Sequence, residues 1–150
     1  MLNSPVPATA ARRISELVEN FAAHEKAFLA ETYSEADVRR DFIEPFFEAL
    51  GWDVFHKKQR NPLEREVRVE RSQQQAGATA QKRADYAFFL APNFRDVRFF
   101  VEAKKPRIVV AKDKDAHFQT IRYGWNAHNP VAILTDFQEF YCRGRGWVSG

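Results

Sequence analysis

An α/β architecture, a central mixed β-sheet flanked by helices, is the fold class this sequence predicts. Three observations predict it: apolar residues at helical spacing over residues 9–50, strand-like runs from residue 51 onward, and one helical pattern over 113–125 set between strand patterns. Strands joined by a short turn pair antiparallel, whereas a strand, a crossover helix and a second strand return in parallel, so the sheet mixes both. A chain of 150 residues suits one domain, with a helical segment over about 9–50 and a sheet and helix over about 51–142.

Ile14, Leu17, Val18 and Phe21 recur at helical spacing opposite Glu16, Glu19 and Asn20, which predicts a first helix from residue 9 to about 30. Ser34, followed by Glu35 and Asp37, has the form of an N-cap with an acidic first turn, and Gly51 stands where a left-handed C-terminal residue belongs. A second helix fills that interval, kinked or divided at Pro45, which removes one helical hydrogen bond. Two apolar rows run along it, Val38, Phe42, Phe46 and Ala49 in one and Ile43, Phe47 and Leu50 in the other, and predict burial on more than one side. Strand patterns follow at 52–55 and, with polar and apolar residues alternating, at 65–70. Residues 71–82, rich in Gln, Ala and Gly, read as a loop. Residues 85–90 and 97–104 form a hairpin at the sheet's centre. A helix over 113–125 then leads to strands at 131–134 and 139–142.

The hydrophobic fraction of 45% and the 14 Phe residues supply a core, while 29% charged residues keep the surface wet, which excludes disorder for most of the chain. Cys142 stands alone and so excludes an internal disulfide framework, and no Cys/His spacing suits a structural zinc site. His24, His56, His117 and His128 likewise lack metal-ligand spacing. No apolar run approaches the ~20 residues that cross a bilayer, and the opening octet lacks the features of a signal peptide. A reducing, cytoplasmic setting without a membrane is expected. Net charge is +3, unevenly spread: residues 1–50 hold 5 basic and 9 acidic side chains, residues 51–150 hold 18 and 11. The later segment's net +7 suits attraction to a polyanion such as DNA, although solvated Lys and Arg account for it equally well.

Chemistry concentrates at the hairpin. Alternation along a strand puts Glu102 and Lys104 on one face, roughly 6–7 Å apart, and Phe99, Val101 and Ala103 on the other. Apolar residues on both faces before Glu102 mark a strand buried on both sides, where an uncompensated charge costs several kcal/mol. Should the hairpin bring Asp85 beside Glu102, their repulsion is relieved by a hard divalent cation, and so few oxygen ligands suit Mg²⁺, which keeps waters and accepts phosphate oxygens. The Lys104 ammonium then orients an attacking water or offsets charge in the transition state. The competing reading is an ordinary surface ion pair between Glu102 and Lys104, with Asp85 a turn residue.

The wider text resembles the PD-(D/E)xK nuclease superfamily, most closely the N-terminal cleavage domain of type IIG restriction-modification enzymes, with type I restriction subunits more distant. The segments that carry the resemblance are Tyr-Ser-Glu-Ala-Asp-Val-Arg-Arg-Asp-Phe-Ile-Glu-Pro-Phe-Phe-Glu-Ala-Leu-Gly-Trp-Asp-Val (33–54), Ala-Asp-Tyr-Ala-Phe (84–88), Phe-Phe-Val-Glu-Ala-Lys-Lys-Pro (99–106), Gln119 with Tyr123, and Ala-Ile-Leu-Thr-Asp-Phe (132–137). It implies a restriction-endonuclease-like sandwich and Mg²⁺-dependent DNA hydrolysis, with Mn²⁺ a possible substitute and 5′-phosphate and 3′-hydroxyl products. Asp85 and Glu102 are then metal ligands, with the Ala103 carbonyl a further one, and Lys104 is the catalytic lysine. Ala84 replaces the family's usual proline, which changes backbone stiffness and removes no ligand.

Gln119 and Tyr123, one helical turn apart, resemble a pair that supports the site or contacts DNA in some of these nucleases. Arg122 on an adjoining face can reach phosphate. The resemblance implies one more acid from the early helix, Glu35 or Glu44, with Glu44 preferred beside the Pro-Phe-Phe segment; the row Asp37, Asp41, Glu44 and Glu48 also reads as a hydrated face. Lys57, Lys58, Arg60, Lys82 and Arg83 flank loops and can bind phosphate. The implied partners are double-stranded DNA, methyltransferase and target-recognition domains in a longer parent chain, and a second copy that dimerises on DNA. Two rivals stand beside this reading: a catalytically silent DNA-binding module of the same fold, and a repair or junction-resolving nuclease.

Overall fold

Helical spacing in the first fifty residues yields two helical runs that lie over one face of a five-stranded sheet. The computed structural model describes residues 7–58, 61–70, 83–108, 110–117 and 131–144. Helix α1 spans Ala8–Ala23 and buries Ala10, Leu17 and Phe21. The expected continuation to residue 30 breaks at His24, whose φ is −125° and whose N–H is shared between the Asn20 and Phe21 carbonyls. One turn, α2 (Glu25–Phe28), follows, and it delivers the Phe28 ring against Phe21, Tyr33 and Phe42 with centroids 5.4, 5.1 and 4.9 Å away. Aromatic packing at that corner outweighs the continuation of a regular helix.

Ser34 closes a capping box with Asp37: its hydroxyl accepts the Asp37 N–H at 3.2 Å and the Asp37 carboxylate accepts the Ser34 N–H at 2.9 Å. The helical run then passes through α3 (Glu35–Val38), a π-turn (Arg39–Ile43) and α4 (Glu44–Ala49). Pro45, in the first turn of α4, has no N–H to give to the preceding turn, and the widened turn directly ahead of it absorbs the loss. The π-turn also slips the helix phase by one residue, so that Val38 is buried ahead of it, Phe42 and Ile43 within it and Phe47 after it. The two apolar rows of the sequence are thus largely one buried side in two phases; Leu50, at the end of the second row, is 44% exposed. Gly51, at φ +100°, ends α4 by donating to the Glu48 carbonyl while Trp52 donates to Phe47, a double closure that needs a left-handed residue.

Residues 52–55 do not form the expected strand. Both oxygens of the Asp53 carboxylate accept backbone N–H groups, from Lys57 at 2.7 Å and Lys58 at 2.8 Å, and Glu66 accepts the Asp53 N–H at 2.7 Å. Side-chain acceptors here replace the partners a ladder would supply.

The sheet comprises β1 (Val67–Val69), β2 (Tyr86–Phe88), β3 (Phe99–Ala103), β4 (Val131–Thr135) and β5 (Phe140–Gly144), in sequential order. β1, β2 and β3 run antiparallel to one another, β3 and β4 are parallel, and β5 returns antiparallel. The mixed sheet expected from the hairpin and the crossover is therefore present, with β3 at its centre. β1, β2 and β3 are shorter than their sequence patterns, β4 starts at residue 131 as expected and runs one residue further, and β5 is shifted by one residue at its start and two at its end. The helix expected over 113–125 starts with Asp113 accepting the Ala116 N–H at 2.9 Å, and its part beyond residue 117 lies outside the described residues.

The helices cover the face carrying Val67, Tyr86, Phe88, Val101 and Ala103; a smaller cluster of Val110, Ala116 and Leu134 lies on the other face. Phe42 joins the layers, fully buried, with ring centroids 5.3 Å from Phe21 and 4.7 Å from Phe137. Phe42→Ala is expected to lower the unfolding free energy by ~3–5 kcal/mol, measured by urea denaturation, because the flanking rings are held from both sides and cannot close over the hole.

Candidate active site

Tyr86 pairs with Val101, and the same antiparallel register carried one residue outward sets Asp85 opposite Glu102. Their contacts interlock. The Asp85 N–H donates to Glu102 Oε2 at 3.3 Å, and the Ala103 N–H donates to Asp85 Oδ2 at 2.8 Å. Glu102 is 1% exposed and Asp85 8%, so both carboxylates sit inside the protein at one corner where β2 begins and β3 ends. Lys104 follows two positions on. Its Nζ lies 3.9 Å from Glu102 Oε1, and its own N–H donates to the Thr135 carbonyl at 2.8 Å, which ties the residue to β4. With a side chain only 14% exposed against a buried partner, Lys104 is not half of a solvated surface pair.

Arg39, from the π-turn, reaches the same corner. Its Nη1 donates to Asp85 Oδ1 at 3.2 Å, Nη2 to the Glu70 carbonyl at 2.6 Å and Nε to the Tyr86 hydroxyl at 3.0 Å, with the guanidinium 4.8 Å from the Tyr86 ring centroid. The Tyr86 hydroxyl in turn donates to Glu44 Oε1 at 3.0 Å. Arg39 and Glu44 are five residues apart; at about 100° per residue an α-helix would turn them roughly 140° from each other. The i→i+5 bond of the π-turn, from the Glu44 N–H to the Arg39 carbonyl, brings both to one phenol.

Burial opposes the Arg39 charge, but Tyr86, Asp85 and Glu44 around it outweigh that cost, and the net shift of its pKa is upward. Burial also pushes the Tyr86 phenol well above its ordinary range, with Arg39 drawing it down and Glu44 pushing it up. The hydroxyl therefore keeps its proton and remains a donor to Glu44. Among the described residues the ammonium of Lys104 stands by Glu102 and the guanidinium of Arg39 by Asp85.

The structure thus brings Asp85, Glu102, Ala103 and Lys104 together, and connects Glu44, itself 2% exposed, to them through Tyr86 and Arg39. Glu35 instead opens the first turn of α3. Asp37, Asp41 and Glu48 engage Ser34, Tyr33 and Lys57 at the surface of the helical run, in keeping with a hydrated face. Gln119, Arg122 and Tyr123 lie outside the described residues, as do Arg60 and Lys82; Lys57, Lys58 and Arg83 are exposed. Arg39 and Tyr86 escaped the sequence reading. One of two adjacent arginines in an acidic helix reads as solvated, and a Tyr beside Asp85 reads as core; the five-residue interval to Glu44 signals nothing until the π-turn is known. Asp136, 2% exposed, is another buried acid: burial raises its carboxyl pKa, and its Oδ1 accepts the Glu139 N–H at 2.9 Å, closing the turn from β4 to β5.

Over 126 residues, 84% of this chain, the sequence is 29% identical to the type II restriction enzyme and methyltransferase RM.Eco57I of Escherichia coli. No protein-family model matches the chain, and no solved structure does. Among the described residues no helix is long and apolar enough to cross a membrane. The chain spans 12% of the length of that relative, and is thereby related in sequence to a restriction enzyme that is a much longer, methyltransferase-bearing protein.

Proposed function

We propose that this chain is a Mg²⁺-dependent DNA endonuclease domain of the PD-(D/E)xK type, part of a IIG-like restriction-modification enzyme, and that it hydrolyses phosphodiester bonds. The observation that carries the reading is the interlocking of Asp85 and Glu102 across paired strands with Lys104 beside Glu102.

The donor chemistry fits a hard divalent cation. Asp85 and Glu102 are the two carboxylates that meet at this corner, and among the described residues no three His, Cys, Asp or Glu side chains gather as a metal cage. That is the ligand supply Mg²⁺ accepts, since it keeps several waters and completes its shell with substrate phosphate; Mn²⁺ can substitute on the same oxygens. When bound, Mg²⁺ supplies a Lewis acid toward the phosphoryl group. Asp85 and Glu102 would hold it, with the Ala103 carbonyl as a further oxygen. Lys104, anchored to β4 through its backbone, orients the attacking water and offsets negative charge as it develops on the phosphorus oxygens. Glu44, the early-helix acid, supports the site through the Tyr86 hydroxyl rather than by joining the carboxylate pair. Double-stranded DNA is the proposed substrate, drawn by the basic surplus after residue 50, and methyltransferase and target-recognition domains are the proposed neighbours in a longer parent chain.

Plasmid nicking tests this. Supercoiled DNA is expected to be nicked with Mg²⁺ or Mn²⁺ and left intact with EDTA, with Glu102→Ala and Lys104→Ala each slowing nicking by about 100-fold or more, as loss of a charge-stabilising group in a buried site does. A Lys104→Ala protein that nicks at the wild-type rate would favour the silent DNA-binding reading. One active site cuts one strand, so a second copy is expected on duplex DNA: sedimentation should show a monomer alone and a dimer with DNA, and a persistent monomer on cleaved duplex counts against it.

A further inference from the structure

Asp85 and Glu102 interlock through backbone donors, and Asp85 is held in addition by a side chain from the helical run. Arg39 places one guanidinium against three acceptors on two stretches of chain: the Glu70 carbonyl just after β1, and the Tyr86 hydroxyl and Asp85 Oδ1 at the start of β2. Asp85 is then gripped at both oxygens, Oδ1 by Arg39 and Oδ2 by the Ala103 N–H, which fixes the plane of its carboxylate. The Arg39 side chain is 15% exposed, so water has little access to substitute for those bonds.

The geometry points to Arg39 as the positioning residue of the site, one that presets the Asp85 carboxylate for a divalent cation through its forked donors rather than through its charge. The inference rests on the metal-dependent reading above. Charge and fork act in opposite directions. A positive group 3.2 Å from a ligand oxygen repels an incoming cation, so charge alone would make Arg39 a hindrance. Held orientation works the other way: hydrogen-bond partners of a ligating carboxylate contribute about 10–100-fold to metal affinity. Lysine keeps the charge but carries a single nitrogen and cannot reproduce a planar fork across separate acceptors. Arg39→Lys therefore isolates the geometric contribution.

The test is Mn²⁺ binding to the whole 150-residue chain, read by the electron paramagnetic resonance signal of free Mn²⁺, with thermal melting followed by circular dichroism on the same samples. Wild type is expected to bind, Glu102→Ala to lose binding, and Arg39→Lys to stay folded with a dissociation constant raised by about tenfold or more. An Arg39→Lys protein that is folded and binds Mn²⁺ as wild type does would overturn the role of Arg39 and leave the nuclease reading standing. Wild type that does not bind, or Glu102→Ala that binds equally well, overturns both. If Arg39→Lys fails to fold, Tyr86→Phe carries the test: it deletes one anchor of the fork while leaving every charge in place, and an unchanged Mn²⁺ affinity there overturns the proposal.

Discussion

The register between β2 and β3 is the constraint on which the rest of this molecule turns. Side chains alternate faces along a strand, so a slip of one residue would send Asp85 and Glu102 to opposite sides of the sheet. Three paired positions, Tyr86 with Val101, Ala87 with Phe100 and Phe88 with Phe99, hold that register. The stacking of Phe88 on Phe99, 4.3 Å between centroids and 12° between planes, adds a side-chain lock at the far end of the hairpin. Trp52 closes over both rings edge-on, and Phe47 packs on Phe88 from α4. Apolar packing around the hairpin thereby fixes a polar geometry at its open end.

That polar end is expensive to bury and is made tolerable by distribution. Five charged groups, Glu44, Asp85, Glu102, Arg39 and Lys104, occupy this part of the protein interior or its margin, and removing a partner from such a set leaves a charge uncompensated at a cost of several kcal/mol. Each acid has a donor of its own kind: Arg39 for Asp85, the Asp85 N–H for Glu102, the Tyr86 hydroxyl for Glu44. The phenol is the hinge of this arrangement, because it accepts from Arg39 and donates to Glu44 at once. Helix and sheet are bound together through polar contacts as well as through the phenylalanine layer.

What the sequence made legible is what depends on local period and short connections. Alternation put Glu102 and Lys104 on one face, a short loop made 85–104 a hairpin, and a helical interval before residue 131 made β4 parallel to β3. What stayed hidden depends on geometry that no fixed period describes. The π-turn changes the helix phase midway, so a single helical wheel over 35–49 splits one buried side into two rows and turns Arg39 away from Glu44. The Asp53 carboxylate captures two backbone N–H groups and converts an apolar-looking run into a turn. Arg39 meets Asp85 across 46 residues, a distance at which only the folded chain decides.

One margin of the sheet has a further consequence. β1 is three residues long and lies at the outer end of the strand order, where its far side would offer unpaired backbone groups to any neighbouring chain. Its middle residue, Arg68, is exposed and lies 4.8 Å from the Phe89 ring centroid, and Arg65 precedes it on an exposed stretch. Brevity and like charge are what discourage sheets from joining edge to edge. A second copy that approached this margin would therefore find only three residues of ladder to extend.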